Sequence, residues 1–497
     1  MWEHIAAAIP LVLAWNSLLL MLIGVVVGII MGALPGMTAT MTVAILVSFT
    51  YGMPPLNGMM LLLGIYASAL YAGSIPAILI RIPGTPSSAA AVLDGYPICQ
   101  RGEAGRGIGI STFSSFFGGV FGTFIALFLA SWIAKFAIGF GSSEYFALAF
   151  FGLTIIANIS EGYVIKGLIA GFLGMLLSQI GIDPIQGSPR FTFQNVNLVS
   201  GIAFIPVMIG LFGLSEGLAI IEKIHARDRL KQALSNIVPS WSDIKRMMST
   251  IPGATFIGAF VGAAPGTGGD IASFVSYNER RRWAKDKSAY GKGSIDGLTA
   301  AETAKNAATA GALVPTLALG IPGDSVTAIM IGALMVHGLR PGPLFFESNP
   351  TLAYGIYVGF IVVYVMILVL GLLGARMWAR VISAPANYLW PVIFVLCVVG
   401  SFAMRSSLFD VWSMFGAGIL GYFLRRGKYP LAPMVLGIIL GPICETNLRR
   451  SLILSAGSLD FLYMRPITLA LMVLSLVSII LPLIRNRQTP VTADGPE

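Results

Sequence analysis

An all-α polytopic membrane protein is what this sequence predicts, and three observations predict it. Hydrophobic residues make up 56% of the 497 positions and charged residues only 11%, too little polar surface to cover a soluble globule. Apolar runs of the roughly 20 residues needed to cross about 30 Å of hydrocarbon recur from end to end, with no soluble domain between them. The chain also holds 58 glycines and 28 prolines, residues that let membrane helices approach closely and that interrupt them.

The first apolar run, within "MWEHIAAAIPLVLAWNSLLLMLIGVVVGIIMGAL", has no basic region before it and is too long for the core of a signal peptide. It reads as an uncleaved first span. Further apolar segments follow as far as 466–484, several too short to cross, which leaves about twelve transmembrane helices plus re-entrant pieces. The pattern divides the chain into a first half, 1–221; a basic hinge loop, 222–250; a second-half core, 251–404; and C-terminal spans with a short polar tail, 405–497.

The net charge of +9 is concentrated in two places. Lys223, Arg227, Arg229, Lys231, Lys245 and Arg246 lie in the hinge, and Arg280, Arg281, Arg282, Lys285, Lys287 and Lys292 lie in a second loop. An excess of lysine and arginine beside membrane spans places both loops in the cytoplasm. It needs no nucleic acid, since no aromatics or binding fold are interleaved. Arg485 and Arg487 favour a cytoplasmic C-terminus only weakly, because the tail is short. Cys99, Cys397 and Cys444 form no C-x-x-C pair and read as buried small residues. His4, His225 and His337 lack the H-E-x-x-H spacing and read as surface or interfacial groups.

An internal repeat carries most of the functional information. "IIMGALPGMTATMTVAIL" sets Pro35-Gly36 at the end of an apolar run, and "AFVGAAPGTGGDIASFVSY" sets Pro265-Gly266 at the end of another. A partner follows each: "RIPGTPSSAAAVLDG" with Pro83-Gly84, and "GIPGDSVTAIMIGA" with Pro322-Gly323. The offsets are 230 and 239 residues, so order and spacing repeat almost without drift. Two related halves, expected as inverted repeats with broken helices at the membrane midplane, follow from that pattern.

Proline lacks an N–H and disfavours helix before it, and glycine adopts angles other residues avoid, so apolar-Pro-Gly-polar reads as helix, break, new helix. Thr38, Thr85, Ser87, Ser88, Thr267, Asp270, Asp324, Ser325 and Thr327 follow the breaks as expected N-caps. The exposed N–H groups of a half-helix start attract anions. The candidate substrate-binding residues are therefore Pro35, Gly36, Thr38, Pro83, Gly84, Thr85, Ser87, Ser88, Pro265, Gly266, Thr267, Gly268, Gly269, Pro322, Gly323, Ser325 and Thr327. Freed carbonyls together with Asp270, Asn306 and Asp324 are the candidate ligands for a hard cation such as sodium. Any one Pro-Gly pair alone reads as a loop turn, and a serine or threonine after it as a cap; the matched set of four is what favours a binding site. At Gly323, φ freedom is the expected reason for glycine.

Other charges carry less. Glu161 and Glu216 sit at span ends and read as interfacial. Arg81 reads either as a counter-charge facing the site or as a side chain reaching the interface. Asp94 in "DGYP" reads as a turn-former. Glu302 and Lys305 stand one turn apart at the head of a helix and can pair with each other.

At these four elements the chain resembles the large membrane subunit of the tripartite tricarboxylate transporters, the TctA family. The residues that carry the resemblance are "GALPGMTATMTVAIL", "IPGTPSSAAAVLDGYP", "APGTGGDIASFVSY", "YGKGSIDGLTAAETAKNAATAGALVPTLALGIPGDSVTAIMIGAL" and "HGLRPGP", spread over about residues 24–343. The resemblance implies a multi-pass permease of the bacterial inner membrane, an elevator-like secondary transporter rather than an enzyme. It implies work with a small membrane subunit and a periplasmic solute-binding protein that delivers an organic acid. It also implies uptake driven by sodium or protons, with no other cofactor. Where family members often have E-x-A-N-N-A, this chain has "ETAKNA", so Lys305 either supplies an ammonium in place of a sodium ion or faces solvent.

No G-x-x-x-x-G-K-S/T motif is present to bind nucleotide phosphates. Two alternatives stay open. A channel also uses broken helices, and the membrane aspartate Asp270 raises an intramembrane enzyme, although "GTGGD" departs from G-x-G-D and no Tyr-Asp segment accompanies it.

Overall fold

A computed structural model gives the structure of residues 1–34, 36–159, 164–221, 237–381 and 386–485. Pro35, Glu161, His225, the hinge residues Lys223, Arg227, Arg229 and Lys231, and Arg487 lie outside the described residues.

The helices run in chain order as α1 (Trp2–Val12), α2 (Trp15–Ala33), α3 (Ala39–Leu46), α4 (Pro55–Ala72), α5 (Ser74–Ile80), α6 (Ala89–Gln100), α7 (Ala104–Ala137) and α8 (Ser142–Ile159). Next come α9 (Val164–Ser178), α10 (Val196–Val199), α11 (Phe204–Met208), α12 (Ser215–Ile221), α13 (Trp241–Ala263), α14 (Gly268–Trp283), α15 (Ile295–Leu319) and α16 (Ser325–Val336). The last are α17 (Phe345–Ser348), α18 (Pro350–Leu373), α19 (Ala375–Val381), α20 (Ala386–Arg405), α21 (Leu408–Arg426), α22 (Leu431–Leu454), α23 (Phe461–Met464) and α24 (Pro466–Arg485). Among the described residues the strands are two-residue pieces, Gly181–Ile182 paired antiparallel with Pro189–Arg190.

Five described helical runs are long and apolar enough to cross a membrane: α2, Pro55–Ile80 through α4 and α5, α7, α18 and α22. The protein is thus an all-α polytopic membrane protein. Its contacts divide it into two units, Met1–Ile138 with Ile205–Ile419, and Gly139–Phe204 with Leu420–Glu497.

The first unit contains the repeat. Each half places a long helix, a break, a short helix, a second long helix, a second break and a short helix in the same order: α2–α3–α4/α5–α6 and α13–α14–α15–α16. Small residues let the long helices of each half touch at the backbone. A Cβ on Gly28 or Gly32 of α2 would overlap the carbonyls of Ile65 and Ala69 on α4. A Cβ on Gly258 or Gly262 of α13 would overlap those of Ala304 and Ala308 on α15. These are the same pairs, displaced by the same 230 and 239 residues as the Pro-Gly motifs. A run of small residues on α7 packs against α15 in the same way, with Gly118 at Thr303 and Gly122 at Ala307.

In the second unit, Gly174 of α9 packs on the Met434 carbonyl of α22, and Gly437 of α22 on that of Gly171. Ion pairs fasten the hairpin strand there: Arg190 to Asp183 at 2.5 Å and to Glu445 at 2.7 Å, and Arg449 to Asp183 at 2.9 Å.

Cys99, Cys397 and Cys444 are buried and form no disulfide among the described residues, as their isolated spacing implies. Asp94 departs from expectation. It lies inside α6 and is fully buried, and Oδ1 accepts the N–H groups of Gly291, Gly293 and Ser294 at 2.9, 2.9 and 2.8 Å. It is no turn-former in its own segment; it holds together a turn nearly 200 residues away, at the entrance to α15. Short sequence context gives no sign of such a partner.

Candidate functional site

The breaks repeat in backbone detail. Leu34 (φ −87°, ψ 115°) and Ala264 (φ −77°, ψ 119°) end α2 and α13 in the same extended conformation. Gly36 and Gly266 then take positive φ, 90° and 79°, which favours glycine. At the second breaks, α5 ends at Arg81 (φ 62°) and α15 at Gly320 (φ 72°), both left-handed. The next residues turn back identically: Ile82 N–H reaches the Pro76 carbonyl at 3.4 Å, and Ile321 N–H the Pro315 carbonyl at 3.2 Å.

Gly84 and Gly323 are therefore not the residues that need φ freedom, contrary to the sequence reading of Gly323. They are glycines because of close approach: a Cβ on Gly84 would strike the Gly32 carbonyl, and one on Gly323 would lie 2.5 Å from Ala312 Cα. The left-handed turn falls three residues earlier, and the arginine at 81 hides it in the first half. Arg81 itself is exposed, 5.9 Å from the centroid of the Tyr96 ring.

The expected caps divide. Thr38 accepts from Met41 N–H at 3.1 Å and caps α3. Asp324 and Thr327 form a reciprocal capping box at the start of α16, with Asp324 Oδ1 accepting Thr327 N–H at 2.8 Å and Thr327 Oγ1 accepting Asp324 N–H at 2.9 Å. Thr267 does not cap α14; its hydroxyl turns back to donate to Ala264 O at 2.8 Å and to Val261 O, closing the helix before the break. Thr85, Ser87 and Ser88 bond one another at 2.9 to 3.0 Å instead of capping α6. They form a buried hydroxyl cluster ahead of it.

The breaks from both halves meet. Thr40 Oγ1 of α3 lies 2.8 Å from Ser325 Oγ at the head of α16. Gly266 N–H donates to Gly323 O at 2.7 Å, and the Cβ position of Gly268 is 3.1 Å from Asp324 Cβ. Gly84 closes on Gly32, and its N–H donates to Gly73 O at 2.9 Å. The turn Pro86–Ser88 packs on α14, and a Cβ on Gly269 would lie 3.2 Å from Lys305 O. Pro83, Pro265 and Pro322 immediately precede the glycines of this ring.

The long helices each send one polar side chain to the opposite half's break. Tyr66 of α4 donates its phenol hydrogen to Asp324 Oδ2. Lys305 of α15 reaches Ser74 Oγ at 2.5 Å and Ser88 Oγ at 3.3 Å, and pairs with Glu302 at 3.0 Å. Tyr66 and Lys305 are separated by the same 239 residues as the second breaks, so they occupy one position of the repeat. Sequence reading passed over Tyr66, and that offset was the signal that could have found it. The pairing of Lys305 with Glu302 agrees with their spacing, and its full burial excludes the solvent-facing alternative.

The three cation candidates occupy different surroundings. Asp324 is partly buried between Tyr66 and Thr327. Asn306 is fully buried and turns to α7, with Nδ2 donating to Ser115 Oγ at 2.8 Å and Oδ1 without a partner among the described residues. Asp270 is exposed on the first turn of α14.

The profile of the family described as "Tripartite tricarboxylate transporter TctA family" matches residues 18–436. An Agrobacterium vitis protein described as "Uncharacterized 52.8 kDa protein in TAR-I ttuC' 3'region" is 34% identical over 451 residues, covering 90% of each chain. A second from that organism, "Uncharacterized protein in TAR-II ttuC' 3'region", is 35% identical over 237 residues, 47% of this chain and 98% of its own length. No solved structure matches.

Proposed function

Since the chain belongs to the tripartite tricarboxylate transporter TctA family, we propose that it is the membrane-embedded permease of an uptake system for carboxylates, driven by an ion gradient. A small membrane subunit and a periplasmic binding protein that hands over the organic acid complete the system. In this reading the chain lies in the bacterial inner membrane with about twelve crossings, in two inverted halves, 1–221 and 251–404, with both basic loops in the cytoplasm. The break-bearing region moves across the membrane in an elevator-like manner.

The observation that carries the reading is the ring of four breaks, two from each half, with repeated backbone geometry. Freed N–H groups at half-helix starts favour carboxylate, and freed carbonyls favour a cation. The site is polarised. At the second break of the first half, hydroxyls and the Lys305 ammonium gather, suited to an anion. At the second break of the second half, Asp324 stands beside Ser325 and Thr327, suited to a coupling sodium ion or proton. Asp270 and Asn306 flank these regions as further candidate ligands.

The test is uptake of labelled organic acids by cells expressing the chain with its partner subunits, with sodium replaced by choline and the proton gradient collapsed separately. Saturable uptake that falls with one of the gradients supports the carrier. Ohmic conductance in planar bilayers, without saturation, would instead assign a channel.

A further inference from the structure

Lys305 and Glu302 are 0% and 1% exposed, inside a helix whose other positions from Leu298 to Ala318 are buried as well. A buried ion pair is no more stabilising than a well-packed apolar pair of the same volume. Ionised groups at membrane depth are costly and mark solute pathways. Packing alone therefore gives no reason for this pair among the alanines of α15.

Its surroundings give one. Lys305 Nζ lies 3.1 and 3.0 Å from the two Glu302 oxygens, and it also reaches Ser74 and Ser88 beside the break. Glu302 holds a second set of donors on α7, with Ser111 Oγ at 2.8 Å and Ser115 Oγ at 3.4 Å from Oε2. The carboxylate can thus remain hydrogen-bonded when the ammonium is taken by another group. From the neighbouring elements, Tyr71 of α4 lies within electrostatic range of Glu302, and Asp270 of α14 within that of Lys305.

We propose that Lys305 is the group that binds the substrate carboxylate, and that Glu302 is its resting partner, exchanged for that carboxylate when substrate enters. The inference rests on the carboxylate-uptake reading and adds a residue and a mode of binding to it. An ammonium that is always paired, either with Glu302 or with substrate, leaves no uncompensated charge in the empty site. The corresponding Tyr66, a neutral donor held by Asp324, has no such charge to neutralise.

Uptake of labelled citrate and labelled succinate, with the amount of protein in the membrane measured alongside, tests the assignment. Glu302→Gln frees the ammonium, and KM is expected to fall about tenfold with a lower kcat, since release becomes slower. Lys305→Met with Glu302→Gln removes both charges at similar volume, so the chain is expected to insert at the wild-type amount. Uptake is nevertheless expected to fall ~100-fold or more. A pair with only a structural role gives the reverse, with the double variant restoring wild-type uptake and KM. That result, or a KM in Glu302→Gln that is unchanged or raised, overturns the role of Lys305 while leaving the carboxylate reading intact. Wild-type protein that, expressed with its partner subunits, takes up no di-, tri- or aromatic carboxylate overturns the reading itself and the Lys305 assignment with it.

Discussion

The two halves of the repeat share a backbone and differ in charge. The first half presents a phenol from Tyr66 and hydroxyls from Thr85, Ser87 and Ser88; the second presents an ammonium from Lys305 and a carboxylate from Asp324. Each polar arm serves the other half's break. The repeat thus carries the backbone, and residues at matched positions differ in chemical type: Tyr66 corresponds to Lys305 and Thr85 to Asp324. The ring of breaks therefore differs in charge between its two ends although its scaffold is nearly symmetric.

The largest expected effect tests the shared part. Gly84→Val and Gly323→Val each drive a branched side chain into backbone, at Gly32 and Gly73 in one half and at Ala312 in the other. Overpacking costs about 1–3 kcal/mol or more, and here it separates elements that form the ring. Uptake is expected to vanish in both variants, with protein still found in the membrane fraction. Normal uptake in either would show that the halves are not equivalent at their second breaks.

A smaller effect tests the part that differs. Tyr66→Phe removes one donor to Asp324 and leaves the capping box intact. The loss of a hydrogen bond to a charged group costs about 1.5–3 kcal/mol, so uptake at low substrate is expected to fall about tenfold or more. The change should appear in the dependence on the coupling ion rather than in KM for the acid. An altered acid KM with unchanged ion dependence would reverse the assigned polarity.

Asp94→Asn addresses a contact outside the repeat pattern. Three N–H donors at the entrance of α15 lose an ionised acceptor and keep a neutral one. Detergent-purified protein is expected to lose about 1–2 kcal/mol of stability, read as a lower thermal midpoint. An unchanged midpoint would remove Asp94 from the set of fastening contacts.

What the sequence made legible follows a physical rule. Hydropathy and Pro-Gly punctuation report on single segments, so the membrane class, the breaks and their repeat were readable from the chain. Which residues close a break was not. Gly84 and Gly323 look like turn glycines, yet they are small because backbone from outside their own turn lies against them, Gly32 in one case and Ala312 of the preceding helix in the other. Thr267 looks like an N-cap because it precedes a helix, but its hydroxyl serves the helix behind it. Tyr66 gives no local sign at all, for a tyrosine in an apolar helix is common and its partner Asp324 is 258 residues away. Only the repeat offset, applied to every polar residue of the long helices, connects local pattern to long-range pairing.

The smallest effect comes from the second unit, where ion pairs exist without a break to serve. Burial pushes the Asp183 carboxyl upward, but the Ile185 N–H and the guanidinium groups of Arg449 and Arg190 outweigh it and hold the group well below the usual carboxylate range. Because the folded-state value is the lower one, the stabilisation is fully present above the unfolded value of about 3.9 and is lost as pH falls from there through the depressed folded value. The thermal midpoint of wild-type protein is therefore expected to decline below about pH 4, and Asp183→Asn, already lacking this contribution at neutral pH, should show a shallower decline. KM for the acid should stay the same in that variant at neutral pH. The contrast with Lys305 and Glu302 is then direct: in one place an ion pair fastens a hairpin and acts only on stability, and in the other its removal acts on transport while the chain remains inserted. A shift in acid KM for Asp183→Asn would mean that this cluster, too, communicates with the site.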